Sequence, residues 1–406
     1  MADGQPSAPP AATPLAGAVL RANPSYELLP LDRLAAPERE QVVREHGDAE
    51  ELYGVLRPRG GSQLDPRAVS PETALLLLTL REPGPLPRYA AARGEQETAQ
   101  ALTRLVLDDV LQVEHGGDWL SGAAAATLLL ATRSAGGRGR VGELSLAALR
   151  YGAALGPLPE PLLARRLYFY GVRPPSARLR REWGDPGAHA ARLGLDAGGG
   201  ARAVLRAGWS EVVAPDGERR PWRQWRRQAT GAAAPPRADW KLYVSPTADA
   251  LPEAFAAVAE TLARSHGVSA FKVGGDLRGI SRPDKLVAYF DGLDDLREGA
   301  ALLRERLAGC PAQGVPFTAP ITSDGLLSWG ADPPAASGGQ EHGERSSWRL
   351  WIAERLAQYL SSAARERRPD GLEPWRFALE RLRLSGVDTD TWAPAAGMWP
   401  EALASA

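Results

Sequence analysis

From about Tyr26 to Arg150 the apolar residues fall in short clusters at helical spacing, as in ETALLLLTL and AAAATLLLATR, so this part is expected to be mainly helical. Within it, LQVEHGGDWLSG switches to alternation around a Gly-Gly pair, the pattern of a small hairpin, with His115 at the surface beside the turn. Helices followed by a hairpin fit a winged-helix-like module that takes a peptide as an added strand, and equally a helical lid with a structural hairpin. GGRGRVG then punctuates the chain, and the aromatic run of RRLYFYGVRPPS favours a strand. Between Arg178 and Pro236 no period persists. The stretch RRPWRQWRRQ within it fits a solvated face anchored by tryptophans better than a nucleic-acid patch.

From Asp239 the pattern becomes strand, helix, strand, strand, helix. DWKLYVSP alternates, LPEAFAAVAETLARSHG carries an early proline and a terminal glycine, SAFKVGG and DKLVAYF are short strands, and LDDLREGAALLRERLAG repeats the glycine stop. This order predicts an α+β fold whose sheet is covered by helices on one face. After the loop-rich GVPFTAPITSDGLLSWGADPP come a long helix in SSWRLWIAERLAQYLSSAARE and a last helix at Trp375–Leu384. The expected organisation is a disordered tail over residues 1–25, a helical, winged-helix-like domain over 26–150, a sheet domain over 151–364 and a helical extension over 365–406.

Composition sharpens this at one point. All three lysines, Lys241, Lys272 and Lys285, lie in that central segment, whereas the other 45 of the 48 basic residues are arginines. Arginine stays charged at any usable pH, so a position that must lose its proton requires lysine. The clustering therefore points to an active site with a lysine in acid–base work, against a coding bias with three scattered survivors. The net charge of −1 gives no global preference for nucleic acid or an anionic membrane, so an anion site must be local. One cysteine, Cys310, excludes an intrachain disulfide framework and reads as a small buried hydrophobe; five scattered histidines form no HExxH-type pair. The N-terminus has no secretory pattern and no run of about 18 apolar residues occurs, so the chain reads as soluble and cytoplasmic.

Strand alternation puts Lys241, Tyr243 and Ser245 on one face. Lys272 stands between Phe271 and Val273, a partly desolvated setting that lowers a lysine pKa toward that of a general base. Arg278, Arg282 and Lys285 follow closely. If these cations converge on one sheet face they need an anion between them, and a doubly charged phosphate ester fits; otherwise they point to solvent on separate faces. Asp276, Asp284 and Asp332 fit turning loops or orienting the cations better than binding a metal. No HRD, DFG or GxxxxGK motif accompanies the lysines, which argues against a kinase.

The series DWKLYVSP, FKVGG and RPDKLVAYF, with YFYG, GVPFTAP, LLSWGADPP and SSWRLWIAERLA, resembles the phosphothreonine lyases. It resembles still more their HopA-type effector relatives and the lyase components of class V lanthipeptide and thioamitide biosynthesis. The resemblance runs from about Arg165 to Ala364. It implies a lyase-like sheet and metal- and cofactor-free elimination of phosphate from phosphoserine or phosphothreonine of a ribosomally made precursor peptide. Lys272 then corresponds to the base, and Lys241 and Arg282 to phosphate ligands. Lys285 is expected to join them, with Arg349 as first and Arg345 as second choice for a further arginine. Tyr243 stands where the effector lyases carry a histidine acid; His342 and His266 are the alternatives. The resemblance also implies a separate phosphotransferase partner. The other reading is an inactive HopA-like module that binds peptide or protein.

Overall fold

The computed structural model describes residues 15–46, 51–91, 95–130, 137, 139–212, 221–228, 240–333, 347–365, 371–395 and 398. These divide into two compact units. The first draws on Met1–Ala135 and Gln358–Leu384, the second on Gly136–Pro334, Arg345–Ala357 and Ser385–Ala406.

The first unit is less helical than the apolar clusters suggest. Its strands are β1 (Leu20–Ala22), β2 (Tyr26–Pro30), β3 (Gly54–Pro58), β4 (Arg67–Val69), β5 (Leu111–His115) and β6 (Asp118–Leu120). They make two small antiparallel sheets, β1-β5-β6 and β2-β3-β4. The expected hairpin is β5–β6, turning at Gly116 and Gly117, both with positive φ, and His115 is exposed. On its other side β5 pairs with β1, and Leu15 and Leu20 are buried. Residues 15–25 therefore belong to the fold rather than to a tail; residues 1–14 lie outside the described residues.

The second unit is built on a seven-stranded antiparallel sheet. Its strands are β7 (Trp209–Glu211), β8 (Trp222–Arg227), β9 (Trp240–Val244), β10 (Val268–Gly274), β11 (Leu286–Phe290), β12 (Ala319–Pro320) and β13 (Leu327–Ala331), in the spatial order β12-β13-β9-β11-β10-β8-β7. One face is apolar and covered by the helices Leu251–Arg264 and Leu293–Arg306, as the α+β pattern requires. On that side Phe271 stacks on Trp225 at 5.0 Å and meets Trp209 edge-on, with Phe255 of the first helix closing the cluster. Arg227 donates to the carbonyls of Leu262, Ala263 and Ser265, satisfying the end of the same helix.

Three local expectations are corrected. Tyr168 ends a helix, Glu160–Tyr168, rather than opening a strand, because Leu163, Ala164 and Leu167 bury one helical face. The aperiodic stretch after Arg178 holds helices Ala177–Trp183, Pro186–Arg192 and Gly200–Arg206 and the strands β7 and β8. Seven-residue helices are too short to establish a period, although Ser176 and Asp185 cap two of them. Cys310, lastly, is only half-buried.

Candidate functional site

Register, not sequence proximity, assembles the site. Tyr289 of β11 pairs with Lys241 of β9, which pairs with Gly330 of β13. One step along, Gln224, Lys272, Val287, Tyr243 and Ser328 form the next row across five strands. Directly paired residues share a face, so Lys241, Tyr243 and Lys272 all project from the side opposite the two covering helices. Gly330 leaves room there for the indole of Trp348; a Cβ would lie 2.5 Å from that ring.

The three lysines have different partners. Lys241 forms an ion pair with Asp332, whose other oxygen accepts the Trp348 N–H at 2.9 Å, tying β9 to the start of the helix Trp348–Arg365. Lys285 is wholly buried and donates to the Pro246 carbonyl at 2.8 Å and to Gln313 Oε1 at 2.6 Å. Lys272 has no hydrogen bond or ion pair among the described residues. Its ammonium instead faces Trp222 at 4.5 Å and Tyr289 at 5.5 Å from the ring centroids. Burial lowers its pKa below the ordinary lysine value, with Asp284 opposing the shift and Arg282 adding to it. Aromatic faces compensate a cation without accepting its proton, which suits a lysine that must be free to lose it.

Asp284 is the hub of the second half of the site. Arg282 grips its carboxylate bidentately, both contacts at 2.8 Å, and Arg349 Nη1 donates to it at 2.6 Å. Burial alone would raise the Asp284 pKa; the guanidiniums of Arg349 and Arg282 outweigh this and hold it well below the usual carboxylate range. Arg282 also donates to the Tyr168 hydroxyl at 3.0 Å, and Arg349 to the Tyr168 carbonyl at 2.9 Å. The Arg282 guanidinium sits over Tyr168, Phe169 and Trp222, the last ring being the one that faces Lys272. Of the three guanidinium nitrogens of Arg282, Nη1 has no hydrogen bond among the described residues, and the side chain is 14% exposed.

Lys241, Lys272, Arg282 and Arg349 thus stand against Asp284 and Asp332. With every group ionised two positive charges remain, and with Lys272 neutral one, so the site favours an anion such as a phosphate monoester. Lys285 leaves the expected cradle because its amine is directed into the protein. Arg349 is 1% exposed with its donors committed to Asp284, Tyr168 and the Pro316 carbonyl, so it orients Asp284 instead of reaching an anion itself. Arg278 is exposed on the short helix Leu277–Ser281, and His266 is exposed in the turn before β10. His342 and Arg345 lie outside the described residues.

Tyr243 is buried between Val287 and Val315, and burial raises its pKa well above the usual phenol value. It therefore keeps its proton as a hydrogen-bond donor. Asp276 caps the short helix through the Gly279 N–H at 2.7 Å, so all three aspartates turn a loop or orient a cation. Sequence reasoning missed Tyr168, Trp222 and Tyr289. Tyr289 shares the parity of Lys285 along β11 and was accessible from alternation; Tyr168 had no local signal.

No family model and no curated protein matches the chain. Among solved structures it is similar to the effector protein from Pseudomonas syringae pv. syringae strain 61, at 13% identity over 63% of this chain and 100% of that one, TM-score 0.37. It is similar to Salmonella plasmid virulence C protein (SpvC) at 18% identity over 37% of this chain and 77% of that one, TM-score 0.27. The type III effector/phosphothreonine lyase OspF from Shigella flexneri is 12% identical over 32% of this chain and 75% of that one, TM-score 0.25. Overlaps this limited leave the chemistry of the site as the basis for function.

Asp284→Asn should destabilise the protein by about 3–5 kcal/mol, because two guanidiniums lose their shared counter-ion. A carboxylate whose folded pKa is depressed stabilises fully above its unfolded value and loses that contribution as pH falls below it. Urea midpoints measured between roughly pH 6 and pH 2 should therefore fall more steeply for the native protein than for the variant. Parallel curves would show that the Asp284 cluster carries no such linkage.

Proposed function

We propose that this protein is a lyase that eliminates phosphate from phosphoserine or phosphothreonine of a ribosomally made precursor peptide, leaving dehydroalanine or dehydrobutyrine. The observation that carries the reading is Lys272: a lysine with a lowered pKa that faces the rings of Trp222 and Tyr289 with no hydrogen bond or ion pair among the described residues, beside Arg282 with a free donor and the Lys241–Asp332 pair. In the proposed step neutral Lys272 takes the Cα proton. The Cα–H electron pair forms the Cα=Cβ bond, the Cβ–O bond breaks, and phosphate leaves with that bond's electrons. Arg282 and Lys241 neutralise the phosphate oxygens, and Tyr243 donates a hydrogen bond to the departing group. A phosphate so neutralised leaves without a strong acid, which fits a tyrosine where the resembling lyases have histidine.

In this proposal the precursor arrives phosphorylated by a separate phosphotransferase, in the cytoplasm, and the setting is lanthipeptide or thioamitide biosynthesis, as the resemblance of the motifs implies. The buried Tyr243, a weaker acid than histidine, also suits a second reading, a binding module that has lost catalysis. Incubation with a synthetic phosphothreonine peptide separates the two. Loss of phosphoric acid by mass spectrometry supports the lyase, and binding with no mass change supports the module.

Lys272→Arg should lower the elimination rate by about 10²–10⁴-fold while phosphopeptide affinity stays within a few-fold, because arginine keeps the charge and cannot accept the proton. In the native enzyme the rate should rise with pH along a limb lying below the ordinary lysine value of 10.5, since only neutral Lys272 acts. A rate that is flat across that range, or normal turnover by the variant, would remove Lys272 from the base role.

Tyr243→Phe keeps the packing against Val287 and removes only the hydroxyl. Loss of one transition-state donor should slow elimination about a hundredfold at unchanged melting temperature. Wild-type rates would reduce Tyr243 to a packing residue.

The region before about Arg150, with its hairpin β5–β6, is proposed to hold the unmodified leader of the precursor by strand addition. Its deletion should impair turnover of full-length precursor far more than that of a short phosphopeptide. Equal losses on both substrates would argue for a purely structural role.

A further inference from the structure

Lys285 is the buried titratable group that the proposed chemistry leaves unused. A lysine with 0% exposure and no carboxylate partner is unusual, because desolvating an ammonium is costly. Its two partners are carbonyl oxygens, Pro246 O and Gln313 Oε1. A neutral amine has two N–H donors and an ammonium three, so both contacts survive either protonation state. Burial brings its pKa down to about 7, consistent with such a setting.

The contact to Gln313 fixes which way that amide faces. With Oε1 occupied by Lys285, Nε2 is turned to the carbonyl of Gly171 and donates to it at 2.8 Å. Gly171, at φ 86°, lies in the turn that follows the helix ending at Tyr168. The Arg173 N–H then bonds to the Ser281 carbonyl at 3.1 Å, so residues 168–173 are pinned at successive points. At the near end of this segment stands the phenol that accepts from Arg282. Lys285 itself follows Arg282 and Asp284 on the same stretch of chain and immediately precedes β11, its carbonyl accepting from the Gly274 N–H at 2.8 Å. A single buried amine therefore ties the start of β11 to the segment whose aromatic rings cover Arg282.

We propose that Lys285 is a positioning residue: through Gln313 and the Gly171 carbonyl it fixes the Tyr168–Arg173 segment, and through Tyr168 it holds Arg282 in its phosphate-binding orientation. The second half of this statement rests on the lyase reading; the first does not. This differs from a cradle role, in which the amine would touch the anion, and from simple core packing, in which removal would lower global stability with no local signature.

Hydrogen exchange followed by mass spectrometry, together with phosphopeptide titration of the full chain, tests it. In Lys285→Met, peptides covering residues 166–175 should exchange about tenfold faster or more, with the rest of the second unit protected in proportion to global stability. Gln313→Glu keeps an acceptor for Lys285 and removes the donor to Gly171, so it should loosen the same segment although the lysine retains a partner. It also serves if Lys285→Met fails to fold. Affinity for a synthetic phosphothreonine peptide should fall about tenfold in either variant. In an Arg282→Ala background the same substitutions should cause no further loss, because the effect runs through that guanidinium. Unchanged exchange at 166–175 would overturn the relay. Faster exchange with additive affinity losses would overturn its action through Arg282. If the native protein binds no phosphopeptide, the lyase reading and the Arg282 half of the proposal both fail, while the exchange result still decides the relay.

Discussion

A buried carboxylate shared by two arginines fixes the geometry on which the site depends. Asp284 is held by Arg282 from its own loop and by Arg349 from a helix 65 residues further on. Removing Asp284 would leave two guanidiniums without their shared counter-ion inside the protein, where desolvation penalties run to several kcal/mol per ion, and removing either arginine would leave the carboxylate with a single partner. The same two guanidiniums bond to the hydroxyl and the carbonyl of Tyr168, so a third stretch of chain is drawn into the cluster. Electrostatic necessity thus places groups that the covalent chain leaves far apart.

The antiparallel sheet divides the labour between its faces. On one, aromatic and aliphatic side chains of β8 and β10 pack on two helices and supply the burial that holds the unit together. On the other, β8 and β10 present Trp222 and Lys272, and β9 and β11 present Lys241, Tyr243 and Tyr289. The period of two lets Phe271 belong to the core and Lys272, its neighbour, to the site. Rigid strands rather than loops carry Lys272, Lys241 and Tyr243, the proposed base, phosphate ligand and donor, so their separations are fixed by the ladder.

Three lysines in one segment reach three different ends because their partners differ. A carboxylate pairs with Lys241, two carbonyl oxygens hold Lys285 whether or not it is protonated, and Lys272 faces two rings with no hydrogen bond or ion pair among the described residues. Of the two desolvated amines, Lys285 is directed into the protein, whereas Lys272 stands beside Arg282 and the Lys241–Asp332 pair. Trp222 and Tyr289 link Lys272 to Arg282 and to Lys241 through shared ring faces. A phosphate bound among these groups would meet charge already neutralised in part by Asp284 and Asp332, which limits mutual repulsion before a ligand arrives.

The chain's own pattern determined a good deal. Period-two alternation gave the strands carrying Lys241 and Lys272, helical spacing with glycine stops gave the two covering helices, and the Gly-Gly pair gave the β5–β6 hairpin. Parity along a strand also put Lys241 and Tyr243 on one face, because side-chain direction in a strand is a local property. What the sequence left open was everything set by register and long-range pairing. That Lys285 points into Gln313, that Arg349 serves Asp284 and that the YFYG run ends a helix all depend on partners 28 to 181 residues away. A side chain's neighbours across strands and loops are chosen by packing and charge compensation in the folded chain. The residue types and their order therefore named the candidates, and only the tertiary structure separated the groups that face the site from those that hold it in place.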